Sequence, residues 1–164
     1  MDAPSDRDRF EQMLARHHRR LRRLVAGVIA DRDRVDDVLQ EAYYKAYRKL
    51  PRRFENAAHE STWLFRVTYR CCLDEIRSRG RRLDEPNTEA LEIAVVGSEP
   101  HRMLVVEEAF KSLEPADRAV LLLVGVMGFD QATTARILGL SRSTVAWRLN
   151  GARQRLRDAL GGGE

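Results

Sequence analysis

Two arginine-rich stretches of this sequence carry side chains that suit nucleic acid. In the first stretch, four positions share one face of a helix when projected at about 100° per residue: Trp63, Arg66, Arg70 and Arg77. Arginine neutralises phosphate, and an indole ring offers a stacking surface worth ~1–3 kcal/mol for an unpaired base. This face predicts contact with single-stranded nucleic acid. A tryptophan near a helix start is as often a core anchor, so both readings stay open for Trp63.

The second stretch, from Gln131 to Leu156, predicts two helices separated by a break. Ala135, Gly139 and Val145 have the spacing of a helix-turn-helix motif, in which the glycine supplies the positive φ of the turn. Ser141 is a good N-cap for the second of these helices. The inward stripe of this second helix is then Val145, Leu149, Ala152 and Leu156.

The opposite face of that second helix is the candidate for reading base pairs. It contains Ser143, Trp147, Asn150 and Gln154, with Thr144, Arg148 and Gly151 at its flank. Asparagine and glutamine can each pair bidentately with the major-groove edge of adenine. The pattern predicts a recognition helix, although a helical hairpin without a role on DNA has the same periodicity.

Charge is distributed unevenly over the 164 residues, although the net charge is only +4. Residues 48–82 have a balance of +6, residues 83–108 a balance of −6, and residues 131–160 a balance of +5. This pattern favours two small domains that bind polyanions, separated by an acidic linker. Solvated surface charge beside an acidic loop is the alternative.

Three helices are predicted in the first half. An apolar stripe defines the first: Phe10, Leu14, His17, Leu21, Leu24, Val25 and Val28. The second begins after "ADRD", with Asp33 as the expected cap, and buries Val35, Val38, Leu39, Ala42, Ala46 and Leu50. Its other face carries Asp37, Gln40, Glu41, Tyr44 and Arg48. That face is either a surface for a partner or an ordinary solvated face.

The third helix follows the irregular segment "PRRFENAAHES", with Ser61 or Thr62 as the expected cap. Leu64, Val67, Thr68 and Cys71 should point inward. Adjacent Cys71 and Cys72 are too close for an ordinary disulfide, so buried thiols are expected. Asp74 and Glu75 have basic neighbours and should form ion pairs.

Catalysis and membrane insertion are not expected. The sequence contains no phosphate-binding glycine loop and no cluster of metal ligands, so we predict no enzyme, no cofactor and no metal. No apolar run approaches the ~18–20 residues that a membrane span needs, and the N-terminus is polar. We therefore expect a cytoplasmic protein.

Taken together, "VDDVLQEAYYKAYRKLPRRF" and "STWLFRVTYRCCLDEIRSRGRR" resemble domain 2 of bacterial sigma factors of the extracytoplasmic-function (ECF) group, within the sigma-70 family. The segment from "EEAFKSLEPADRAV" to "LNGARQRLRDAL" resembles domain 4 of the same group. The resemblance implies an all-α protein with two small helical domains, residues 1–82 and 104–164, joined by a flexible acidic linker, residues 83–103.

The resemblance also implies partners and sites. Asp37, Gln40, Glu41 and Tyr44 would bind the clamp helices of the largest subunit of core RNA polymerase, and domain 4 the flap of the second-largest. The loop 54–61 would capture a flipped base, and the promoter −10 set would be Phe54, Asn56, His59, Ser61, Trp63, Arg66, Arg70 and Arg77. The −35 set would be Arg142, Ser143, Thr144, Ala146, Trp147, Arg148, Asn150, Gly151 and Gln154. An anti-sigma factor is a further expected partner.

Some positions depart from the family pattern. The capture loop reads "FENAAHES", where relatives often have a glycine near Asn56 and an aromatic residue near Glu60. Relatives often carry basic residues at the positions of Ala146 and Gly151, and a larger apolar residue at that of Thr134. The resemblance implies that the acidic linker occupies a nucleic-acid channel of the polymerase. The alternative is a flexible tether whose apolar spot, residues 91–96, docks on an anti-sigma protein or on the chain itself. The alternative function is a stand-alone helix-turn-helix regulator, which accounts only for residues 131–156.

Overall fold

A computed structural model describes residues 4–82 and 100–161 of the chain, and every regular element in these ranges is helical. In chain order the helices are α1 (Asp6–Ile29), α2 (Val35–Arg48), α3 (Ala57–Arg82), α4 (Pro100–Ser112), α5 (Pro115–Val120), α6 (Gln131–Leu138) and α7 (Arg142–Ala159). A 3₁₀ turn, Arg32–Arg34, leads into α2, and α5 continues as a π-helical turn, Leu121–Val126. The predicted all-α class is confirmed.

Helices α1, α2 and α3 pack together through the predicted apolar stripes. On α1 and α2 the buried side chains include Phe10, Leu21, Leu24, Val25, Val28, Val35, Val38, Leu39, Ala42 and Ala46. Leu14, His17 and Leu50 lie at the edge of this core instead of within it. Met13, which the stripe did not include, is only 1% exposed. Thus the helical period identified the core face, with errors at its margin.

The predicted caps of α2 and α3 are wrong. Asp31, not Asp33, acts at the start of the 3₁₀ turn, where its carboxylate accepts a hydrogen bond from the Asp33 amide at 3.1 Å. Helix α3 begins at Ala57, because Asn56 Oδ1 accepts from the His59 amide at 2.8 Å. Ser61 therefore lies inside the helix, where its hydroxyl donates to the Ala58 carbonyl at 3.2 Å.

The second half forms the predicted helix-turn-helix. Asp130 caps α6, because its carboxylate accepts a hydrogen bond from the Thr133 amide at 2.6 Å. Hydrogen bonds with the backbone and side chain of Thr133 lower the pKa of the Asp130 carboxyl. Gly139 ends α6 with φ of 68°, the left-handed conformation expected for the turn. Ser141 caps α7 by accepting from the Thr144 amide at 3.1 Å. Helix α4 already begins at Pro100, inside the segment predicted as linker.

The two halves are in contact in the described structure. Helix α1 packs on α5, and α3 packs on α6. The rings of Phe65 on α3 and Phe129, before α6, meet edge to face with their centroids 5.1 Å apart. Residues 83–99, which include most of the predicted linker and its apolar spot, lie outside the described residues.

One buried hydroxyl on α6 gives a stability prediction. Thr134 is fully buried, and its Oγ1 has no hydrogen-bond partner among the described residues. Replacing Thr134 by valine keeps the shape and removes an unpaired polar group, so we expect a stability gain of about 1 kcal/mol. Chemical denaturation of the native chain and the variant measures this gain.

Thr68 provides the matched control for that prediction. It is equally buried, but its hydroxyl donates to the Leu64 carbonyl at 2.9 Å. Thr68→Val should therefore be neutral or lose up to ~1 kcal/mol. Equal effects of the two substitutions would contradict the role given to the unpaired hydroxyl of Thr134.

Candidate partner and nucleic-acid interfaces

The acidic face of α2 is exposed as predicted. Asp37, Gln40, Glu41 and Arg48 are exposed, and the exposed fraction of Tyr44 is 58%. The buried face of the same helix rests on α1 and α3, which fixes the direction of these side chains. All of them except Arg48 border a groove of about 660 Å³ between α2 and α3. A rigid helix thus presents carboxylates, an amide and a phenol beside an open groove.

Ion pairs connect the two sides of this groove and involve Asp74 and Glu75 on its α3 side. Arg34 donates to Glu75 at 2.9 Å and to Asp37 at 2.7 Å, and the hydrogen bond with Glu75 raises the pKa of Arg34. Asp74 lies 3.5 Å from Lys45. The ion pairing predicted for Asp74 and Glu75 is confirmed. These contacts join α2 to α3 and give the groove a defined shape.

Two of the four predicted loop residues line a second cleft. Phe54 and Asn56 border a cleft of about 410 Å³ between α1 and the segment before α3. The other polar residues that line this cleft were not predicted: Arg9, Gln12, Arg16, Arg52, Arg53 and Glu60. A cleft with an aromatic ring, amides and several guanidinium groups can take up an extruded base and its phosphates. The only indication of this basic cleft in the sequence was the segment "PRR" immediately before Phe54.

The other two predicted loop residues lie differently. His59 is exposed on the first turn of α3, with its ring edge toward Phe54 at a centroid distance of 5.7 Å. Ser61 is only 8% exposed, and its hydroxyl is bonded within the helix. The expectation that Ser61 belongs to an open loop is therefore wrong, because Ala57–Ser61 continue the helix.

Glu60 closes one side of the cleft. Its carboxylate accepts from Arg16 Nη2 at 2.7 Å and lies 3.1 Å from His17 Nε2. Burial alone would raise the pKa of Glu60, but the hydrogen bonds with Arg16 and His17 outweigh it, and the pKa is lowered. This group ties α1 to the start of α3. His17 thus lies at the boundary of the core, where the Glu60 carboxylate holds it.

The position of Trp63 on α3 agrees in part with each of the two roles that the sequence left open for it, a core anchor and a stacking surface. Trp63 is half-buried, and its ring lies 5.4 Å from the ring of Phe54. Arg66, Arg70 and Arg77 are exposed, with Arg77 within 3.6 Å of Asp74. The indole therefore packs against Phe54, which lines the cleft, and stays partly exposed. The arginines extend the positive surface along α3.

Cys71 and Cys72 are buried free thiols, as predicted. Burial raises the pKa of both. Thiolate reactivity is thereby suppressed, and the residues fill space between the helices.

Helix α7 presents its predicted outward face to solvent. Arg142, Ser143, Asn150, Gly151 and Gln154 are exposed, and Trp147 has an exposed fraction of 70%. Gln154 donates to Asp158 at 2.7 Å, a contact within the same exposed face. Thr144 and Ala146 are half-buried at its flank. The inward stripe is buried at Val145, Leu149 and Ala152, so the orientation of the helix is fixed.

Arg148 differs from the other members of the predicted −35 set. Its guanidinium donates to Asp117 at 2.8 Å and to Glu114 at 3.3 Å, and these contacts raise its pKa. Only 22% of its side chain is exposed. Asp117, itself buried, also accepts from Arg155 at 2.9 Å. Arg148 therefore anchors α7 to α5, which makes a structural role the better account of this residue.

Family models match both halves of this fold. Sigma-70 region 2 matches residues 13–82, and sigma-70 region 4 matches residues 103–156. The chain is 33% identical to the ECF RNA polymerase sigma factor SigM of Mycobacterium tuberculosis, over 95% of this chain and 79% of that protein. It is 27% identical to the ECF sigma-E factor of Escherichia coli K12, over 91% of this chain and 85% of that protein. The chain belongs to the ECF sigma factors of the sigma-70 family.

Solved structures share the fold. RpoE from Bartonella quintana, in complex with the anti-sigma factor NepR, superposes with a TM-score of 0.80 at 24% identity, over 94% of this chain and 98% of that one. CnrH, in complex with the cytosolic domain of CnrY, gives a TM-score of 0.66 at 25% identity, over 94% and 89%. The likeness extends over both helical halves.

Family membership gives the general function: the protein is a sigma factor that directs RNA polymerase to promoters. A stand-alone helix-turn-helix regulator is not favoured, because the region 2 match includes the helices that such a regulator leaves unexplained. Sigma factors are not enzymes in general. Within the described ranges, no helix is both long and apolar enough to cross a membrane, and no group of three or more potential metal ligands is present.

Proposed function

We propose that the three exposed surfaces divide the work of promoter recognition. The face Asp37, Gln40, Glu41 and Tyr44 binds the clamp helices of core polymerase, and the second domain binds the flap. The cleft at Phe54 and Asn56, with Trp63, Arg66, Arg70 and Arg77, captures and holds the opened −10 strand. The outward face of α7 reads the −35 element. The domains are residues 1–82 and 104–164, with 83–103 as linker, except that α4 extends the second domain back to Pro100.

One observation carries this proposal. The α2 face, the arginine face of α3 beside the cleft and the α7 face each lie on a helix whose opposite side is buried. Each surface exposes groups that match its target: carboxylates for a basic protein surface, guanidinium groups and aromatic rings for an unpaired strand, and amides for base edges. Trp147 is the most exposed large apolar side chain that is described. A ring of this size on a fixed helix suits apolar contact with a thymine methyl group.

The experiment is transcription in vitro from a randomised promoter library, with bacterial core RNA polymerase and the purified chain. Sequencing of the transcribed templates gives the preferred −35 and −10 bases. The proposal requires two separate conserved elements in the selected pool. A single element, or selection that does not depend on the added chain, would contradict it.

Asn150 and Gln154 supply a specificity prediction within that experiment. Replacing either by alanine removes one amide from the outward face, so discrimination at one or two −35 positions should fall by about 1–3 kcal/mol, or roughly 5- to 150-fold. The −10 preference should stay unchanged. Arg153→Ala, an exposed neighbour outside the predicted set, serves as the control and should weaken transcription evenly across sequences. Altered −10 preference in the Asn150 or Gln154 variants would contradict the assignment.

The same proposal covers regulation and location. The solved relatives RpoE and CnrH were determined with NepR and CnrY bound, and we propose that an anti-sigma factor also binds this chain. We further propose that the chain acts without catalytic chemistry of its own, in the cytoplasm where the polymerase works.

A further inference from the structure

One side of α1 carries a line of basic residues that continues past the cleft between α1 and the segment before α3. Positions 9, 12, 16, 19 and 23 lie three and four residues apart, a spacing that places side chains on one face of a helix. The first three of these residues line the cleft. The other two follow on the next turns and are exposed. We call this set the α1 stripe: Arg9, Gln12, Arg16, Arg19 and Arg23.

The charge of this part of α1 is not balanced within the helix. Residues 12–29 contain five arginines and no aspartate or glutamate. Arginines three and four positions apart repel one another and destabilise a helix. A basic run of this kind is often an ordinary solvated face, so the partners of the individual arginines decide whether any charge is left over for a ligand.

Two arginines of the α1 stripe are left over in this sense. The other three arginines of residues 12–29 have partners inside the protein: Arg16 has Glu60, Arg20 has the Met127 carbonyl, and Arg22 has Asp36. Arg19 and Arg23 have no hydrogen bond or ion pair with any residue that the structure describes. Two exposed guanidinium groups thus lie four positions apart, about 6 Å along the helix axis.

The rest of the cleft extends this positive surface. Arg52 and Arg53 line it from the segment before α3, are exposed, and also have no partner among the described residues. Glu60 is the only acid among the described residues that line the cleft, and Arg16 already neutralises it. Arg9 is held by Asp6 and the Pro51 carbonyl. The free charge of the α1 stripe therefore lies at its Arg19 end, beyond the cleft.

We propose that the α1 stripe binds the phosphates of the unpaired promoter strand beyond the captured base, on the side toward the transcription start site. This inference rests on the proposed function of the cleft. The arginines of α3 hold the strand up to the captured base, and the stripe begins in the same cleft on a different helix. Its members rise about 4.5–6 Å from one to the next, so neighbouring phosphates can each meet a guanidinium group. Contacts to phosphate hold the strand without reading its sequence.

An acidic surface on a partner protein is the other ligand that two free guanidinium groups would suit. Nucleic acid is favoured here because the α1 stripe is continuous with a cleft that contains an aromatic ring, amides and further arginines. Phosphates also recur along a strand, as the arginines recur along α1. A protein partner is therefore an outcome of the test that would overturn the proposal.

The test uses the complete chain, core polymerase and a fluorescent template that is unpaired from the −10 element to the start site. Arg19→Ala with Arg23→Ala removes the two free charges, and alanine preserves the helix. Arg7→Ala with Arg102→Ala is the matched control, because both residues are exposed and lie outside every proposed surface. The Arg19/Arg23 variant should bind the template ~10-fold more weakly at about 0.1 M salt, and the control within about two-fold of the native chain.

The salt dependence of binding measures how many phosphates are contacted. Each contact to a single strand contributes about 0.7 to the slope of log affinity against log salt. Loss of two contacts should therefore reduce this slope by ~1.4 in the Arg19/Arg23 variant and leave it unchanged in the control. Circular dichroism establishes that the variants keep their helices. If the double variant loses helical content, each single variant should show half of the slope change and decides the question.

Uncharged methylphosphonate linkages identify which phosphates are bound. Replacing three successive phosphates between the −10 element and the start site should weaken binding of the native chain by ~10-fold. The same template should change binding of the Arg19/Arg23 variant by less than about two-fold, because its contacts are already lost. Replacing phosphates upstream of the captured base should weaken both chains equally, since α3 holds that part of the strand.

Three results would overturn the proposal. The first is an equal loss for the native chain and the Arg19/Arg23 variant on the template with downstream methylphosphonates. The second is an unchanged affinity and salt slope in that variant. The third is a loss of its binding to core polymerase without DNA, which would assign the two arginines to an acidic protein surface. A native chain that does not open promoters with polymerase would instead contradict the proposed function, so the two failures are distinguishable.

Discussion

Replacing Asp37, Gln40 and Glu41 together by alanine is expected to weaken binding to core RNA polymerase by ~100-fold or more. Central interface side chains each contribute about 1–2 kcal/mol, and three of them on one helix face reach that sum. The fold should survive, because all three side chains are exposed and their ion pairs with Arg34 and Lys45 are surface pairs of little net value. Fluorescence titration of labelled polymerase at moderate salt measures the loss.

The matched control removes the same charge elsewhere. Glu11 and Glu108 are exposed on α1 and α4, and replacing both by alanine removes two carboxylates without touching the α2 face. This double variant should bind polymerase within about two-fold of the native chain, since only long-range attraction changes. Equal loss in the triple and double variants would assign the effect to net charge and would contradict a specific interface on α2.

Replacing Asp117 by alanine should destabilise the second domain by about 2–4 kcal/mol, because it leaves Arg148 and Arg155 without their shared carboxylate. The Asp117 side chain is 6% exposed, and its two oxygens accept from these arginines at 2.8 and 2.9 Å. Chemical denaturation followed by circular dichroism measures the change. Because the contact joins α5 to α7, the proposed recognition helix, −35 discrimination should fall in the same variant.

Glu114 offers the comparison for Asp117. It also contacts Arg148, at 3.3 Å, but 71% of its side chain is exposed. Glu114→Ala should cost less than ~0.5 kcal/mol. Unfolding of the Asp117 and Glu114 variants at the same denaturant concentration would contradict the claim that the buried Asp117–Arg148 ion pair stabilises the position of α7.

Core positions were predictable from the sequence because helical periodicity reports burial directly. Val38, Ala42 and Ala46 on α2 and Val145, Leu149 and Ala152 on α7 are all buried, at the offsets expected for one helix face. The turn glycine, Gly139, was predictable for the same kind of local reason, since a positive φ there selects glycine.

Helix starts were harder, because several residues near each start could cap it. The segment "ENAAHES" offers both Asn56 and Ser61, and "ADRD" offers both Asp31 and Asp33. In each case the earlier residue is the cap, and the helix or turn starts earlier than predicted. The two alanines after Asn56 are strong helix formers, which could have favoured the earlier start.

The partners in contacts between distant residues were not predictable. Arg148 belongs to the outward flank by periodicity, but its partner Asp117 lies 31 positions earlier and turns it inward. Arg118 contacts the Gly27 carbonyl across 91 positions. Such pairings depend on how helices pack, and neither composition nor period contains that information. The arginines of α1 that line the cleft were missed for the same reason.

The most direct test of the sigma account is promoter opening followed by the fluorescence of a base analogue placed in the −10 element of a template selected from the library. The account predicts a signal only when core polymerase and the chain are both present, and weak binding of the chain alone to the same duplex at moderate salt. Tight, sequence-specific binding by the chain alone, with no opening when polymerase is added, would contradict it.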